Sequence, residues 1–478
     1  MNGKKKIYLA LALFLSVVLV FGIWFIFDNK GNTLNDNDNY NYYIAAFIDG
    51  ESSTTFPTSA DYITEVVCKK NDNTLLSINA TASWTGTKWK LSIKDASYAN
   101  IYCNVNFITK TTWESPGEGT LLAAIKRDNT VGTPLTTPGR AKTADNEAVL
   151  ASTEDDYGTS YYFRGAVKNN YVEFANKCWR IVRVGGDGSV KLILHNDNTA
   201  GVANPCNSAN NSGDAAITDK SKFNYAYGDN AFVGLMYGNI GCSDGVSKSQ
   251  SSCTSAGGTW TASTSYANAH VNINKSTILK YLESWYDDNI ARYDSYIADT
   301  IWCNDKSVVT DTTFNPYSFT LGTNYGYELN TNYYGTTKRI MDNSRYFFAG
   351  SPSLICPNDD LGGKLSKYTV SDTTNGNGAL DKKIGLLTAD EVVYAGGGNL
   401  NYSYYLLKNT ENWFWWVLSP IVFDGDRARV WGVYGSSGYL YRGLVNVNYF
   451  GVRPSLSLNS TVPIASGKGT RNSPYKVN

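Results

Sequence analysis

The chain has 478 residues, enough for about two or three domains. Lys+Arg and Asp+Glu each number 42, so the net charge is zero. Nucleic-acid binding rests mainly on neutralising phosphates, and no basic field is available here to do so; nucleic acid is therefore not an expected partner. Aromatic residues reach 14%, with 35 Tyr and 12 Trp; they can fill large cores and also line a binding surface with rigid amphipathic rings.

Lys4, Lys5 and Lys6 precede an apolar run from Ile7 to Phe27 that holds no charged residue. As a helix it is long enough to cross the roughly 30 Å hydrocarbon core of a bilayer. The lysines predict a cytoplasmic N-terminus over residues 1–6 and export of everything after the span, so the expected location is the cell membrane, single-pass, with the bulk outside. A cleaved signal peptide is the rival reading. The run is longer than the usual h-region of about 7–15 residues and no small-x-small site closes it, so an uncleaved signal anchor over 7–27 is favoured. Residues 28–41 are polar and rich in Asn, Asp and Gly, which predicts a spacer.

Eight cysteines, Cys68, Cys103, Cys178, Cys206, Cys242, Cys253, Cys303 and Cys356, form no C-x-x-C pair. An even number in an exported chain reads as disulfides rather than as a zinc site. Spacing suggests Cys68–Cys103, Cys242–Cys253 and Cys303–Cys356, leaving Cys178 with Cys206, one of many connectivities that eight cysteines permit.

From 42 to 110 short runs rich in β-branched and aromatic residues alternate with turn clusters such as KNDN and TGTK, which predicts a small β-sandwich module. Trp84 and Trp89 are its expected core fillers, and a Cys68–Cys103 bridge would staple it. Residues 111–155 read as a connector containing one short amphipathic helix in GTLLAAIKRDN. Strands return at Tyr161 in YYFRGAV, YVEFA, CWRIVRV and SVKLILH. The GGDG between the last two is a hairpin signal. A helix is expected over 276–290, with Ile278, Leu282 and Trp285 on one face. A second should begin at Thr388, with Glu391 at the capping-box spacing. NWFWWVLSP, ARVWGVYG, GYLYRGLV and GVRPSLSL read as strands, and the final segment as one closing strand. The overall class is α+β, mostly β, with irregular loops and one or two helices.

The order YYFRGAVKNNYVEFANKCWRIVRV, HVNINKSTILKYLESWY, IADTIWCND, LICP, VSDTTNGNGALDKKIGLLTADEVVYAGG, WFWWVLSP and GVRPSLSL resembles a broad set of bacterial surface proteins of gut Firmicutes and their relatives. The resemblance implies a C-type-lectin-like domain over 156–478, similar to formylglycine-generating enzyme and to the variable proteins of diversity-generating retroelements. It further implies that Trp413, Trp415, Trp416, Ser419, Gly451, Arg453 and Pro454 frame the domain. The segment between, Ile421 to Phe450, would carry surface positions. Its candidate ligand-binding residues are Asp424, Asp426, Arg427, Tyr434, Tyr439, Tyr441, Arg442, Asn446, Asn448 and Tyr449. Tyr supplies contact area at low entropic cost and Asn supplies adaptable hydrogen bonds, as in a paratope. Strand alternation turns about half of such side chains inward.

Chemistry is sparsely signalled. His195 and His270 are the two histidines, and neither G-x-S-x-G nor H-E-x-x-H occurs, so no catalytic residue is assigned. Formylglycine-generating enzymes use an active-site cysteine pair for copper, whereas no cysteine follows Cys356. The carboxylate pairs Asp287–Asp288 and Asp390–Glu391 are expected on solvated helix faces. No cofactor or metal is expected. Calcium is the one ion that the oxygen-rich loops 210–214 and 358–360, or the Asp424-Gly425-Asp426 turn, would suit, although none matches an EF-hand. The expected function is non-enzymatic: binding of an extracellular protein or glycan, in adhesion or recognition. The alternatives are an exported enzyme of the formylglycine-generating or another oxidoreductase type, and a structural envelope protein.

Overall fold

The computed structural model describes residues 41–70, 72, 74–76, 79–94, 100–136, 138–140, 148–225, 241–242, 250–261, 275–321, 333–341, 351–357, 366–398, 404–407, 409–410, 413–425 and 427–477. The expected anchor over 7–27, nearly all of the spacer, His270, Asp426 and the loop 358–360 lie outside the described residues. Among those described, no helix is long and apolar enough to cross a membrane. The chain divides into two compact units, Met1–Lys110 and Thr111–Asn478.

The first unit holds β1 (Asn41–Ile48), β2 (Glu51–Ser53), β3 (Tyr62–Lys69), the hairpin of β4 (Asn79–Trp84) and β5 (Trp89–Lys94), and β6 (Asn100–Thr109). Four strands form a sheet in the order β2-β1-β6-β3, with β1 and β6 parallel. Along β6, buried residues alternate with half-buried ones, the period of a strand with one face on a core. Val105 and Phe107 of that face meet Ala46 and, from the hairpin, Ala82. Trp89 packs 5.2 Å from the Phe107 ring, and its indole donates to the Ser59 carbonyl at 2.9 Å. Trp84 covers Trp89 edge-on at the hairpin end. Cys68 and Cys103 are direct cross-strand partners and form a disulfide. The bridge therefore ties β3 to β6, as expected for a unit too small to rely on its core.

The second unit opens with the helix Leu121–Asp128. Thr120 caps it by accepting the Ala123 N–H, and Leu121, Leu122, Ala124 and Ile125 are buried. Next come β7 (Leu150–Asp155), β8 (Gly158–Phe163), β9 (Tyr171–Phe174), β10 (Lys177–Val184), β11 (Val190–Asn196) and β12 (Asp219–Lys220). The stretch 111–155, read from sequence as a connector, thus supplies a buried helix and an edge strand to this unit. The GGDG turn joins β10 to β11. Its Gly188 has φ +79°, and a Cβ there would run into the Thr111 carbonyl oxygen, so only glycine fits. Two short ladders follow, β13 (Gly241–Cys242) with β14 (Trp260–Thr261), and β15 (Trp302–Cys303) with β16 (Lys367–Tyr368). The chain ends with β17 (Phe414–Asp424), β18 (Arg427–Tyr434), β19 (Leu440–Leu444), β20 (Phe450–Val452), β21 (Ser455–Leu458), β22 (Ile464–Ser466) and β23 (Tyr475–Val477).

One sheet runs β21-β11-β10-β9-β23-β22, with β8 attached to β10 and β7 to β8; another runs β12-β20-β17-β18-β19. Trp179, Trp302, Trp415, Trp416 and Trp431 are sealed in the core. The helix Thr277–Asn289 is capped by Ser276 and buries Ile278, Leu279, Leu282, Trp285 and Tyr286. The helix Ala389–Tyr394 starts in a capping box between Thr388 and Glu391.

That helix also corrects one expectation. Asp390 and Glu391 do not sit on a solvated face. Both are buried, and each is held by cations from other elements. Helical spacing shows that neighbours point apart, but not that both directions lead into the protein. Asp287, by contrast, is exposed and pairs with Lys382.

Disulfides join Cys178 to Cys206 and Cys303 to Cys356. Cys253 is also disulfide-bonded, whereas the Cys242 side chain falls outside the described residues. The class is mostly β with few helices and with disulfides.

Candidate functional site

Phe414 is the hub of the region singled out from sequence. On β17 it has Phe450 of β20 as Cα partner on one side and Tyr434 of β18 on the other. Its ring stacks on Tyr434 at 4.5 Å and on Phe450 at 5.1 Å, and lies 4.5 Å from Tyr441 and 6.2 Å from Tyr449. Tyr439 extends the row, 5.4 Å from Tyr434 and 6.2 Å from Tyr441. Behind it Trp416 stacks on Phe450 at 4.0 Å.

Two glycines make this packing possible. A Cβ on Gly432 would come within 2.5 Å of the Phe450 ring, and one on Gly443 within 2.5 Å of the Trp416 ring. Large rings can therefore lie across β18 and β19 instead of standing off them. The outer rings stay partly in water. Tyr434, Tyr439 and Tyr441 are half-buried, and Tyr449 is 44% exposed beside exposed Asn448. Burial pushes the Tyr439 and Tyr449 hydroxyls above the ordinary phenol value, with neighbouring tyrosines adding to it. At neutral pH these two therefore present a neutral O–H.

The other expected residues divide by strand alternation. Arg442, between Tyr441 and Gly443, turns to the opposite face and lies 4.2 Å above the Tyr317 ring. Asp424 does not stand free. It accepts from both Nε and Nη2 of Arg429, at 3.0 and 2.7 Å, and Arg429 itself covers Phe319. Arg427 is exposed and Asn446 is half-buried. The geometry thus gathers Tyr434, Tyr439, Tyr441 and Tyr449 on one face and leaves Arg442 and Asp424 on another.

The framing residues lie beneath. Trp415 and Trp416 are fully buried. Ser419 accepts the Ala389 N–H. Gly451 lies against Ile217. Arg453 donates to the carbonyls of Leu194 and Leu406, both at 2.7 Å, and the Pro454 carbonyl accepts the Leu194 N–H. Trp413 is half-buried. It donates to Asp214 at 2.6 Å and lies under the Lys220 ammonium at 3.3 Å. Sequence reading missed Phe414 and Lys220: Phe414 sits in a run of tryptophans that reads as frame, and Lys220 comes from a distant two-residue strand.

Of the candidate calcium loops, 210–214 is spent internally. The Asn210 and Asn211 amides donate to backbone carbonyls, and Asp214 holds Trp413. Among the described residues no group of three or more His, Cys, Asp or Glu side chains surrounds a common point. His195 is buried at the end of β11, edge-on to Tyr171.

No protein-family model matches this chain, and no curated protein or solved structure does either.

Proposed function

We propose that the chain is a membrane-anchored surface protein whose C-terminal unit, a C-type-lectin-like domain by the resemblance of its strand motifs, captures an extracellular protein through the tyrosine face around Phe414. The observation that carries this reading is the cluster of partly exposed rings, Tyr439, Tyr434, Tyr441 and Tyr449, gathered around Phe414. Stacked tyrosines lose little side-chain entropy on binding and present both area and a hydroxyl. A sheet face is flat, which suits a protein epitope better than a deep sugar pocket. Residues this aromatic and this close-packed are the usual anchors of an interface.

The test is capture by the full chain in detergent micelles, on arrays of extracellular proteins and of glycans, beside a Tyr439→Ala/Tyr449→Ala variant. A protein ligand lost at least tenfold in the variant supports the reading. A glycan ligand lost in the variant replaces the protein by a sugar. Ligands retained by the variant, or none captured, overturn it.

A further inference from the structure

The tyrosine face ends at an open sheet edge. β19 is the last strand in the order β12-β20-β17-β18-β19, so one of its sides is paired and the other is not. Two hydrogen bonds fix which of its groups point inward. The Tyr434 N–H donates to the Tyr439 carbonyl at 3.0 Å, and the Val445 N–H to the Ala428 carbonyl at 3.2 Å. In an antiparallel pair, hydrogen-bonded positions alternate with non-bonded ones. Tyr439, Tyr441, Gly443 and Val445 therefore turn their peptide groups to β18, and Leu440, Arg442 and Leu444 turn theirs away from it. The Leu444 carbonyl takes the Val447 N–H. Among the described residues, the N–H and C=O of Leu440 and Arg442 and the N–H of Leu444 have no partner.

Side chains alternate with the same period. Tyr441 falls on the tyrosine face. Arg442 falls on the reverse, its guanidinium 4.2 Å from the centre of the Tyr317 ring and 5.5 Å from that of Phe319. Both residues are half-buried and so reach solvent. Arg429 of the neighbouring strand spends its charge on Asp424. Arg442 makes neither an ion pair nor a hydrogen bond among the described residues. Two aromatic rings thus hold a positive charge at the edge, with its N–H donors unspent.

We propose that a segment of the captured protein adds to β19 as a further strand. It carries an Asp or Glu beside Arg442, between residues whose aromatic or β-branched side chains lie on the Tyr441 side. Strand addition rests on the tyrosine face being the capture surface, and says how its ligand is held. The outward peptide groups of β19 supply affinity, and alternate side chains supply specificity. The carboxylate gives Arg442 a charge-assisted hydrogen bond. A second copy of this chain fits less well. In a symmetric pairing that overlaps the whole of β19, Arg442 meets Arg442, and like charges directly opposite are destabilising.

The experiment is selection of seven-residue peptides from a randomised display library by the full chain in micelles. The expected enrichment is an Asp or Glu flanked on both sides by aromatic or β-branched residues. Arg442→Glu should replace that acid by Lys or Arg. The best peptide is then N-methylated at one amide at a time. Binding should fall at least tenfold at every second amide and hold at those between. No enriched peptide, a loss that does not alternate, or an unchanged choice of acid in Arg442→Glu overturns the proposal. So does a full-chain dimer in sedimentation that the peptide dissociates, which gives the edge to a second copy. Tyr439→Ala/Tyr441→Ala separates this from the underlying reading. Peptides lost in that variant but indifferent to N-methylation and to Arg442→Glu leave the tyrosine face standing and overturn strand addition. Peptides that keep the alternation and the charge swap but bind that variant undiminished support strand addition and remove the tyrosine face as the anchor.

Discussion

Lys191 and Glu391, 200 residues apart in the chain, meet at 2.6 Å in the centre of the second unit. The other oxygen of Glu391 accepts the Thr388 N–H at 3.0 Å, so one carboxylate both caps its own helix and neutralises a buried ammonium. Glu391→Gln separates these roles, since Gln still serves a capping box. The loss left over comes from Lys191 and Arg183 standing beside a neutral amide. Stripping one partner from a buried pair costs about 3 kcal/mol or more. Urea unfolding of Glu391→Gln should show a loss of that order; a change under about 0.5 kcal/mol would show the network to be energetically idle.

The same carboxylate predicts a pH profile. Burial acts to raise the Glu391 pKa, but Lys191 and then Arg183 outweigh it and hold the carboxyl below its ordinary value of 4.5. The folded state therefore binds the proton less tightly than the unfolded one. This stabilisation is complete above about pH 4.5 and drains away as pH falls through the lower folded value. The urea midpoint should stay flat for this group from pH 7 to 5 and drop below 4.5. Glu391→Gln should drop less steeply; equal slopes would assign the acid loss to other carboxylates.

Arg453 has no carboxylate partner among the described residues, yet it is fully buried. It ties two backbone carbonyls, Leu194 and Leu406, and lies 5.1 Å over the Trp415 ring. Burial lowers its pKa to about 9. Arg453→Ala leaves both carbonyls unsatisfied in a cavity. Each orphaned group costs about 1–3 kcal/mol, so a loss of about 4 kcal/mol in thermal or urea unfolding is expected. Arg453→Lys should not restore it, because one ammonium on a flexible stem cannot reproduce the guanidinium fork.

The second-unit sheets show where sequence patterns inform and where they stop. Local rules were readable. The GGDG hairpin, the Thr388 capping box and the strand in NWFWWVLSP each depend on residues within a few positions. The tyrosine face was half readable. Tyr434, Tyr439, Tyr441 and Tyr449 announce themselves by composition, but which side each takes depends on strand phase: Arg442 turns away although it stands beside Tyr441. The buried ion-pair network was not readable. Arg183, Lys191, Arg339 and Glu391 come from separate elements, and nothing in the local pattern of a Lys inside SVKLIL says that it will meet a Glu 200 residues later. The Asp390–Glu391 expectation failed for that reason.

Gly443 tests the aromatic packing. With Ala there, a Cβ 2.5 Å from the Trp416 ring forces the ring or the strand to move. Overpacking of this kind costs about 1–3 kcal/mol. Gly443→Ala should lower the melting temperature and red-shift tryptophan fluorescence as Trp416 leaves its buried stack on Phe450. An unchanged spectrum and melting curve would mean that β19 tolerates the extra atom and that the glycine is not required.

The Cys303–Cys356 bridge spans 53 residues of sequence and lines a cleft with Asp156 and Arg339. Cys356 donates its N–H to Asp156 at 2.9 Å, and Asp156 pairs with Lys367, the cross-strand partner of Cys303. Disulfide, ion pair and ladder therefore close one ring around the segment. Chain-entropy arguments give about 4 kcal/mol for a loop of this length. Cys303→Ala/Cys356→Ala should lose about that much in guanidinium unfolding. Peptide mapping of the non-reduced protein should recover Cys68–Cys103, Cys178–Cys206 and Cys303–Cys356 as linked pairs. An unchanged midpoint would mean that the Asp156–Lys367 pair and the ladder hold the segment without the covalent link. Free, alkylatable Cys303 and Cys356 in the native protein would instead put a thiol pair beside Arg339 and Asp156, and with it the exported-oxidoreductase alternative.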